Sequence, residues 1–216
     1  MTDEIRSENG TSPIVLPELP IVFDEATHSY INIYGHSMPS VTYIMRFMSR
    51  ELYGPIPEYT LNEAASRGTR VHKLTEDMDR YGWAENDDDT LGYLDAYQKF
   101  LRDFQPTWLG SEWRGYHRNL LYAGTLDRIG YATPDTDEGV DVVDIKTTRT
   151  FHQVMIGTQV DAYAEILMSY DIKVRNRYGL QLLSDGSYVF RKVPSHFKTF
   201  LHCLSLHNAM SEEVRP

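Results

Sequence analysis

Hydrophobic and polar residues follow two different periods along this chain, and each period predicts one kind of element. Apolar residues at helical spacing predict helices, which run over 61–81, 91–104, 151–170 and 195–210. Short or alternating apolar runs between Gly, Pro, Asn and Asp predict strands, which run over 21–24, 28–34, 112–116, 120–130, 140–147, 177–183 and 188–193. A shorter helix, capped by Ser40 or Thr42, is predicted to end near residue 50. The mixture of elements indicates an α/β fold.

The composition favours a single globular domain behind a short tail. Residues 1–19 are polar and contain prolines, which predicts a flexible tail, and residues 20–216 are expected to form one domain. Cys203 is the sole cysteine, so the chain cannot form an internal disulfide or a multi-thiolate metal site. No apolar run approaches the roughly 18 residues of a membrane span, and the start of the sequence does not resemble a signal peptide. We therefore expect a cytoplasmic protein with no membrane partner.

The charge of the chain is unevenly distributed. The net charge of −10 argues against a nucleic-acid partner, because a phosphate-binding domain usually carries a basic balance. Residues 146–216 nevertheless hold nine Lys and Arg against six Asp and Glu, which is enough for a local basic patch. Most basic side chains are expected to be ordinary solvated charges. Those that can contact phosphate are Arg67, Arg70, Arg149, Arg175, Arg177, Arg191 and Lys192.

Two carboxylates and one lysine fall on the predicted strands on either side of the polar run 132–139. If this hairpin is symmetric about 135 and 136, Asp127 lies opposite Asp144, and opposed side chains share a face with Cβ atoms about 5 Å apart. Lys146 follows Asp144 by two residues and therefore lies on the same face. Carboxylates this close repel unless a cation lies between them, and oxygen ligands favour Mg²⁺ or Mn²⁺ over zinc. The pattern predicts a metal-dependent site that hydrolyses phosphodiester bonds.

Four short motifs occur in order along the chain: Gly68-Thr69-Arg70-Val71-His72, Gly124-Thr125-Leu126-Asp127, Asp144-Ile145-Lys146 and Gln159-Val160-Asp161-Ala162-Tyr163. Together they resemble the motifs of the PD-(D/E)XK nuclease superfamily, nearest to its RecB-like branch. The segments 23–25 and 39–42 are similar to small bacteriophage exonucleases. The resemblance implies an α/β fold with a restriction-endonuclease-like mixed central sheet flanked by helices. It also implies an exonuclease that hydrolyses DNA in phage or bacterial recombination, repair or degradation.

The resemblance implies a role for each residue that matches a motif. Asp127 and Asp144 are expected to bind the catalytic metal, assisted by the main-chain carbonyl of Ile145. His72 matches an additional metal ligand of this branch, and Lys146 matches the lysine that supports the attacking water. The implied cofactor is Mg²⁺ or Mn²⁺, and the implied partner is DNA. An oligomeric state and a partner protein in recombination are left open.

Three further residues match less directly. Glu112 begins the strand before the catalytic hairpin and matches an acidic residue that helps a metal or orients water, at a looser spacing. Gln159 and Tyr163 are four residues apart, hence on one helical face, and resemble a pair that holds the substrate near the scissile phosphate. The chain departs from the family signature where Leu126 replaces a proline and where Asp144 replaces a glutamate. Neither departure removes a charge.

Plainer interpretations of the same residues stay open. Asp144 and Lys146 can form an exposed cross-strand salt bridge, although their apolar neighbours make a solvated pair costly there. His72 can be an ordinary helix histidine, Gln159 a surface glutamine and Tyr163 a core aromatic residue. An RNA nuclease, a structure-specific endonuclease and a non-catalytic DNA-binding module are the alternative functions.

Overall fold

The computed structural model describes residues 14–24, 27, 29–135 and 137–213. The helices and strands in this part of the chain are, in order, β1 (Ile21–Asp24), β2 (Ser29–Asn32), β3 (Ser37–Pro39), α1 (Val41–Ile44), α2 (Arg46–Tyr53), α3 (Glu58–Tyr81), α4 (Leu91–Phe104), β4 (Thr107–Tyr116), β5 (Ala123–Tyr131), β6 (Val140–Lys146), α5 (Gln153–Met168), β7 (Val174–Leu182), β8 (Tyr188–Lys192) and α6 (Phe197–Glu213). Strands β1 to β3 form a small antiparallel sheet, and β4 to β8 form the central sheet.

The central sheet is mixed. Its strands lie in the order β4-β5-β6-β7-β8, and neighbouring strands are antiparallel except for β6 and β7, which are parallel. Parallel neighbours require a crossover, which α5 supplies between β6 and β7. The predicted α/β fold, with a mixed central sheet flanked by helices, is confirmed.

Helices cover both faces of this sheet. Successive residues of β6 show the arrangement, because Val142 packs with α1, α5 and α6 while Val143 packs with α3 and α4. On the first face, the buried side chains include Val41, Leu126, Ile129, Val160, Ile166 and Phe200. On the second face, they include Val71, Tyr97, Phe100, Ile145, Leu180 and Leu182. A strand that is covered on both sides usually consists of consecutive apolar residues. A charged residue within β6 is therefore unexpected unless a partner or a function requires it.

Most of the predicted elements are confirmed, some of them to the residue. Helix α4 spans the predicted 91–104, and strand β1 spans the predicted 21–24. Ser40 caps α1, because its side-chain oxygen accepts a hydrogen bond from the backbone N–H of Tyr43 at 3.1 Å. The sequence signals of turns and caps therefore located these element ends correctly.

Other elements differ from their predictions. The first predicted helix divides at Met45 into α1 and α2. Strand β4 begins at Thr107 rather than at Glu112, because the register shift between Trp108 and Gly110 interrupts the alternation by which a strand is recognised. Strand β3 has 3 residues, too short for any period to show.

The described part of the predicted N-terminal tail, residues 14–19, contacts the central sheet. Leu16 packs against the core, and the indole N–H of Trp113 donates a hydrogen bond to the carbonyl oxygen of Pro17 at 3.0 Å. Residues 1–13 lie outside the described residues, and the division of the chain at residue 20 stays a prediction. Among the helices of the described residues, none combines the length and apolar character that crossing a membrane requires.

Candidate active site

The hairpin of β5 and β6 places the two predicted catalytic aspartates beside each other. Its register pairs Arg128 with Val143 and Ile129 with Val142, and the same register carried one residue further puts Asp127 opposite Asp144. Both aspartates are buried. The observed register is thus the one expected for a hairpin that is symmetric about residues 135 and 136, as the turn residues predicted.

Asp144 is a buried carboxylate whose hydrogen-bonding capacity is only partly used. Its Oδ2 forms an ion pair with Nζ of Lys146 at 2.7 Å, and neither Oδ1 nor Oδ2 has a hydrogen-bond partner of regular geometry among the residues that the structure describes. Burial raises the pKa of Asp144 to about 6, although the Lys146 ammonium opposes the shift. Because the Asp144 side chain is 0% exposed, the interpretation as an exposed salt bridge is wrong.

A second group of ligand atoms surrounds Asp127. Nδ1 of His72 lies 3.2 Å from Oε1 of Glu112 and 3.4 Å from Oδ1 of Asp127. One ligand atom from each of these three residues lies within 4.8 Å of the other two. The three side chains come from α3, β4 and β5, which are distant in the sequence. The structure therefore brings together His72, Glu112 and Asp127, including the glutamate whose spacing was the least specific.

Glu112 reaches this group from an unusual backbone conformation. The register of β4 and β5 pairs Ser111 with Arg128 and Trp113 with Leu126, so Glu112 lies opposite Asp127. Its φ is +50°, in the left-handed region that residues with a Cβ rarely adopt. Such conformations persist where surrounding structure enforces them, and they are frequent at functional sites.

The charges of the site shift the pKa values of its members. Burial lowers the pKa of His72, but the carboxylates of Asp127 and Glu112 outweigh it and raise the value to about 9. Burial raises the pKa of Asp127, against the effect of His72. Burial lowers the pKa of Lys146, but Asp144 and Asp127 outweigh this effect and raise it above its usual value. The raised pKa values of His72 and Lys146 show that the carboxylates create a site that favours positive charge.

The main chain of Ile145 holds one of the aspartates in place. Its backbone N–H donates a hydrogen bond to Oδ2 of Asp127 at 2.6 Å, which leaves Oδ1 of the same carboxylate facing His72. The main chain at Ile145 is therefore part of the site. Metal binding by its carbonyl stays a prediction.

Gln159 and Tyr163 lie together on α5, as their spacing predicts. Nε2 of Gln159 donates a hydrogen bond to the hydroxyl oxygen of Tyr163 at 3.0 Å. Both side chains are buried, so the interpretation of Gln159 as a surface glutamine is wrong. Burial raises the pKa of the Tyr163 phenol well above its usual value, and the nearby charges of Asp144 and Asp127 add to the shift. Tyr163 is therefore within range of the charges of both aspartates, and contact of the pair with substrate stays a prediction.

The first residue of the first motif, Gly68, is not in a position where close packing requires a glycine. A Cβ added to Gly68 would have Thr147 Oγ1 as its nearest neighbour at 3.8 Å, which is an ordinary contact. Close packing is required instead at Gly124, where an added Cβ would lie 2.5 Å from Cε1 of Tyr163. The glycine that permits a close approach belongs to the second motif rather than the first.

Two of the arginines considered for phosphate contact, Arg175 and Arg177, pair with buried aspartates. Arg175 pairs with Asp141, with Nε and Oδ1 2.9 Å apart, and its side chain is 4% exposed. Arg177 pairs with the buried Asp161 of α5. The sequence pattern did not indicate either of these ion pairs.

A buried group behind the site has no counterpart in the sequence-based prediction. Arg128 directly follows Asp127, is 0% exposed, and contacts Thr75 and Asp79 of α3 and the aromatic ring of Tyr97. The sequence does contain one indication of this buried group. His72, Thr75 and Asp79 are spaced three and then four residues apart and therefore lie on one face of α3. A polar stripe of this kind on a buried helix face indicates a partner across the interface.

The donor set fits a hard divalent cation. Carboxylate oxygens of Asp127 and Glu112 and one imidazole nitrogen lie within 4.8 Å of one another, and Asp144 adds a buried oxygen that lacks a hydrogen-bond partner in the described part of the chain. Mostly oxygen ligands suit Mg²⁺ or Mn²⁺, and no thiolate is present to favour zinc. These residues could hold such an ion.

Comparison with known proteins finds solved structures that are similar to this chain at low sequence identity. No protein-family model and no curated protein matches the chain. The chain is similar to an alkaline exonuclease from Laribacter hongkongensis, with 11% identity, a TM-score of 0.44, and coverage of 82% of this chain and 88% of that one. It is also similar to a candidate exonuclease from Eubacterium rectale, with 11% identity, a TM-score of 0.37, and coverage of 79% and 71%. Values this low carry no argument about activity.

Proposed function

We propose that this protein is a metal-dependent deoxyribonuclease that hydrolyses phosphodiester bonds of DNA, acting as an exonuclease. One arrangement supports the proposal most directly. Asp127 and Asp144 occupy opposed positions on neighbouring buried strands, with Lys146 paired to one and His72 beside the other. A buried carboxylate pair is costly without a cation, so its presence in a continuous apolar layer indicates a function rather than a contribution to folding.

The residues divide the chemistry between them. Asp127, Asp144, His72 and Glu112, with the carbonyl of Ile145, would hold Mg²⁺ or Mn²⁺. When bound, the metal supplies a water of lowered pKa and neutralises charge that develops on the phosphate.

Lys146 supplies the positive charge on the other side of Asp144. Its raised pKa keeps the Nζ ammonium protonated, so Lys146 donates hydrogen bonds to a phosphate oxygen or to the attacking water. The Lys146 side chain is 23% exposed, whereas the side chain of its partner Asp144 is fully buried. Lys146 thereby joins the buried carboxylates to the surface at which a DNA strand would lie.

The substrate and the mode of attack rest on the motif resemblance. Gln159 and Tyr163, hydrogen-bonded to each other next to the aspartates, would hold the strand near the scissile phosphate. DNA rather than RNA, and ends rather than internal sites, follow from the similarity of the motifs to small bacteriophage exonucleases. A role in recombination, repair or degradation of DNA belongs to the same proposal.

Digestion of end-labelled linear duplex and closed circular DNA tests the proposal. We expect the wild-type protein to degrade only the linear DNA, in Mg²⁺ or Mn²⁺ and not in EDTA, and Asp144→Asn to be inactive and folded. Asp141→Asn is the matched control, because Asp141 is also a buried aspartate of β6 but pairs with Arg175 away from the site. It should retain cleavage.

Each other result points to a different conclusion. Full cleavage by Asp144→Asn would remove the site assignment. Cleavage of the closed circle would favour an endonuclease, and preferential loss of an RNA substrate would favour an RNA nuclease. Binding of DNA without cleavage under any metal condition would favour a non-catalytic module on the same fold.

A further inference from the structure

Arg128 is the largest fully buried side chain of the described residues, and it lies directly behind the candidate metal site. A guanidinium keeps its charge at any ordinary pH, so a buried arginine requires partners for its donors. Arg128 has them on three sides. Nε donates to Oδ2 of Asp79 at 2.6 Å, Nη1 to the carbonyl oxygen of Asp127 at 2.7 Å, and Nη2 to Oγ1 of Thr75 at 3.0 Å.

These contacts connect Arg128 to three of the proposed metal ligands, His72, Glu112 and Asp127, which we call the ligand group. The contact with Asp127 is direct, through its main-chain carbonyl. The contact with His72 passes through Thr75, whose hydroxyl donates to the His72 carbonyl oxygen at 2.9 Å. The contact with Glu112 is an ion pair, with Nη1 of Arg128 3.6 Å from Oε1. One planar group thus touches the supports of three ligands that come from three different elements.

The guanidinium is itself held from behind. Asp79 accepts hydrogen bonds from both Arg128 and the Tyr97 hydroxyl, the latter at 2.8 Å to each carboxylate oxygen. The Arg128 guanidinium also lies near the Tyr97 ring, with 5.8 Å between its central carbon and the ring centroid. Asp79 and Tyr97 belong to α3 and α4, so the packing of these two helices fixes the orientation of the guanidinium plane.

We propose that Arg128 is a positioning residue that sets the geometry and charge of the His72, Glu112 and Asp127 group and thereby its affinity for the metal. This inference rests on the proposed metal-dependent function. Residues that orient metal ligands through hydrogen bonds commonly change metal affinity 10- to 100-fold when replaced. Arg128 contacts no solvent, so it does not bind DNA, and its effect reaches the reaction through the ligands.

A purely structural role would make Arg128 resemble Arg175, another arginine of the central sheet, whose side chain is 4% exposed. Arg175 also donates to a buried aspartate from two nitrogens, at 2.9 and 3.0 Å, but this partner, Asp141, is not a member of the ligand group and is held on its other side by the amide of Asn176. The two arginines are comparable in burial and differ in what they touch. Substituting each arginine in turn therefore distinguishes the effect of losing a buried ion pair from the effect of losing ligand positioning.

The experiment compares Arg128→Lys with Arg175→Lys in the full chain. Lysine keeps the charge but cannot reproduce the three-sided fork of an arginine. Mn²⁺ binding is measured by calorimetry, with thermal unfolding and the kcat and KM of DNA cleavage recorded on the same samples. We expect both variants to unfold at a lower temperature, but only Arg128→Lys to bind Mn²⁺ on the order of 10- to 100-fold more weakly. Its KM for DNA should be unchanged, and added Mn²⁺ should restore part of its kcat.

If Arg128→Lys does not fold, a second pair of variants with smaller changes tests the same positioning role. Thr75→Val removes one hydroxyl from the network and preserves the shape of the side chain. Its control is Thr158→Val, because Thr158 is also a fully buried helix threonine, and its hydroxyl donates to the carbonyl of Val154 rather than to a ligand support. We expect Mn²⁺ affinity to fall several-fold, up to about tenfold, in Thr75→Val only.

The outcomes separate this inference from the function on which it rests. Wild-type protein that binds Mn²⁺, with unchanged affinity in Arg128→Lys and Thr75→Val, overturns the positioning role and leaves the proposed function standing. Equal loss of affinity in Arg128→Lys and Arg175→Lys also overturns it, because general destabilisation would then explain the effect. Wild-type protein that binds no Mn²⁺ overturns both.

Discussion

At Glu112, the backbone conformation and the candidate site favour different residue types. Its positive φ would suit glycine, whereas its carboxylate contacts His72. The left-handed conformation costs a residue with a Cβ roughly 1–2 kcal/mol. We expect Glu112→Gly to be more stable to urea than Glu112→Ala by about 1 kcal/mol, the reverse of the usual order in a strand. Both should lose most metal-dependent cleavage, because both lack the carboxylate.

Gln105 provides the control for the backbone effect alone. Its φ is +48° at the end of α4, and it lies outside the site. Gln105→Gly should likewise exceed Gln105→Ala in stability, with cleavage unchanged in both. A Glu112→Ala protein at least as stable as Glu112→Gly would show that the backbone at this position relaxes freely.

His117 is a second residue whose environment makes a measurable prediction. Its Nδ1 accepts hydrogen bonds from the backbone N–H groups of Asn119 and Leu120, both at 3.2 Å, and burial lowers its pKa. A lowered folded-state pKa means that the stabilisation is present above the unfolded value of about 6.5 and is lost as the pH falls below it. We therefore expect the free energy of unfolding to decrease between pH 7 and pH 5, by at most about 1.4 kcal/mol per pH unit from this group.

Comparison with His117→Asn isolates this contribution from other titrating groups. Asparagine offers an acceptor oxygen near the position of Nδ1 and does not titrate. Urea titration at each pH measures the unfolding free energy of both proteins. As the pH falls, the unfolding free energy of the wild type should decrease relative to that of His117→Asn. A difference that is constant with pH would contradict the assignment.

At the scale of elements, the sequence predicted what depends on neighbours along the chain. The turn residues between β5 and β6 predicted a hairpin. The symmetry of that hairpin in turn predicted that Asp127 lies opposite Asp144. α4 followed from its apolar period. The partners of Arg128 could not be predicted, because they come from α3 and α4, and no local pattern states which helix face meets which strand. Tertiary contact, rather than propensity, determines that part of the site.

The contact between β5 and α5 gives a prediction about two motif glycines. Gly124→Ala would place a Cβ 2.5 Å from Tyr163, so the ring must move, and Gln159 must move with its hydrogen-bond partner. We expect a raised KM for DNA and a loss of roughly 1–3 kcal/mol of stability, as for other overpacked cores. Steady-state cleavage kinetics and urea denaturation measure the two effects.

Gly68→Ala is the matched variant, since its added Cβ meets only Thr147 Oγ1 at 3.8 Å. Alanine in a helix interior should add roughly 0.5–1 kcal/mol of stability there, with KM unchanged. Equal effects of the two substitutions on KM would mean that the position of Tyr163 does not matter for substrate.

At the scale of the whole molecule, the site concentrates negative charge in a chain that is already acidic. The net charge is −10, and three carboxylates with few compensating hydrogen bonds lie within or beside the central sheet. Folding without a cation therefore carries a penalty, which His72 and Lys146 offset only in part. Composition alone revealed the acidic balance, but only the fold shows that part of it is buried.

A bound cation should therefore stabilise the entire fold. Because a ligand that binds only the folded state adds about 2.7 kcal/mol at 100 times its Kd, Mn²⁺ at that level should raise Tm by roughly 5–10 °C for a chain of this length. Asp144→Asn should be at least as stable as the wild type in EDTA, because it removes a buried charge, and its response to Mn²⁺ should be much smaller. Differential scanning calorimetry with Mn²⁺ or EDTA measures both effects, and Asp141→Asn should keep the full response. Equal Mn²⁺ shifts in Asp144→Asn and the wild type would mean that the ion stabilises the protein from another place.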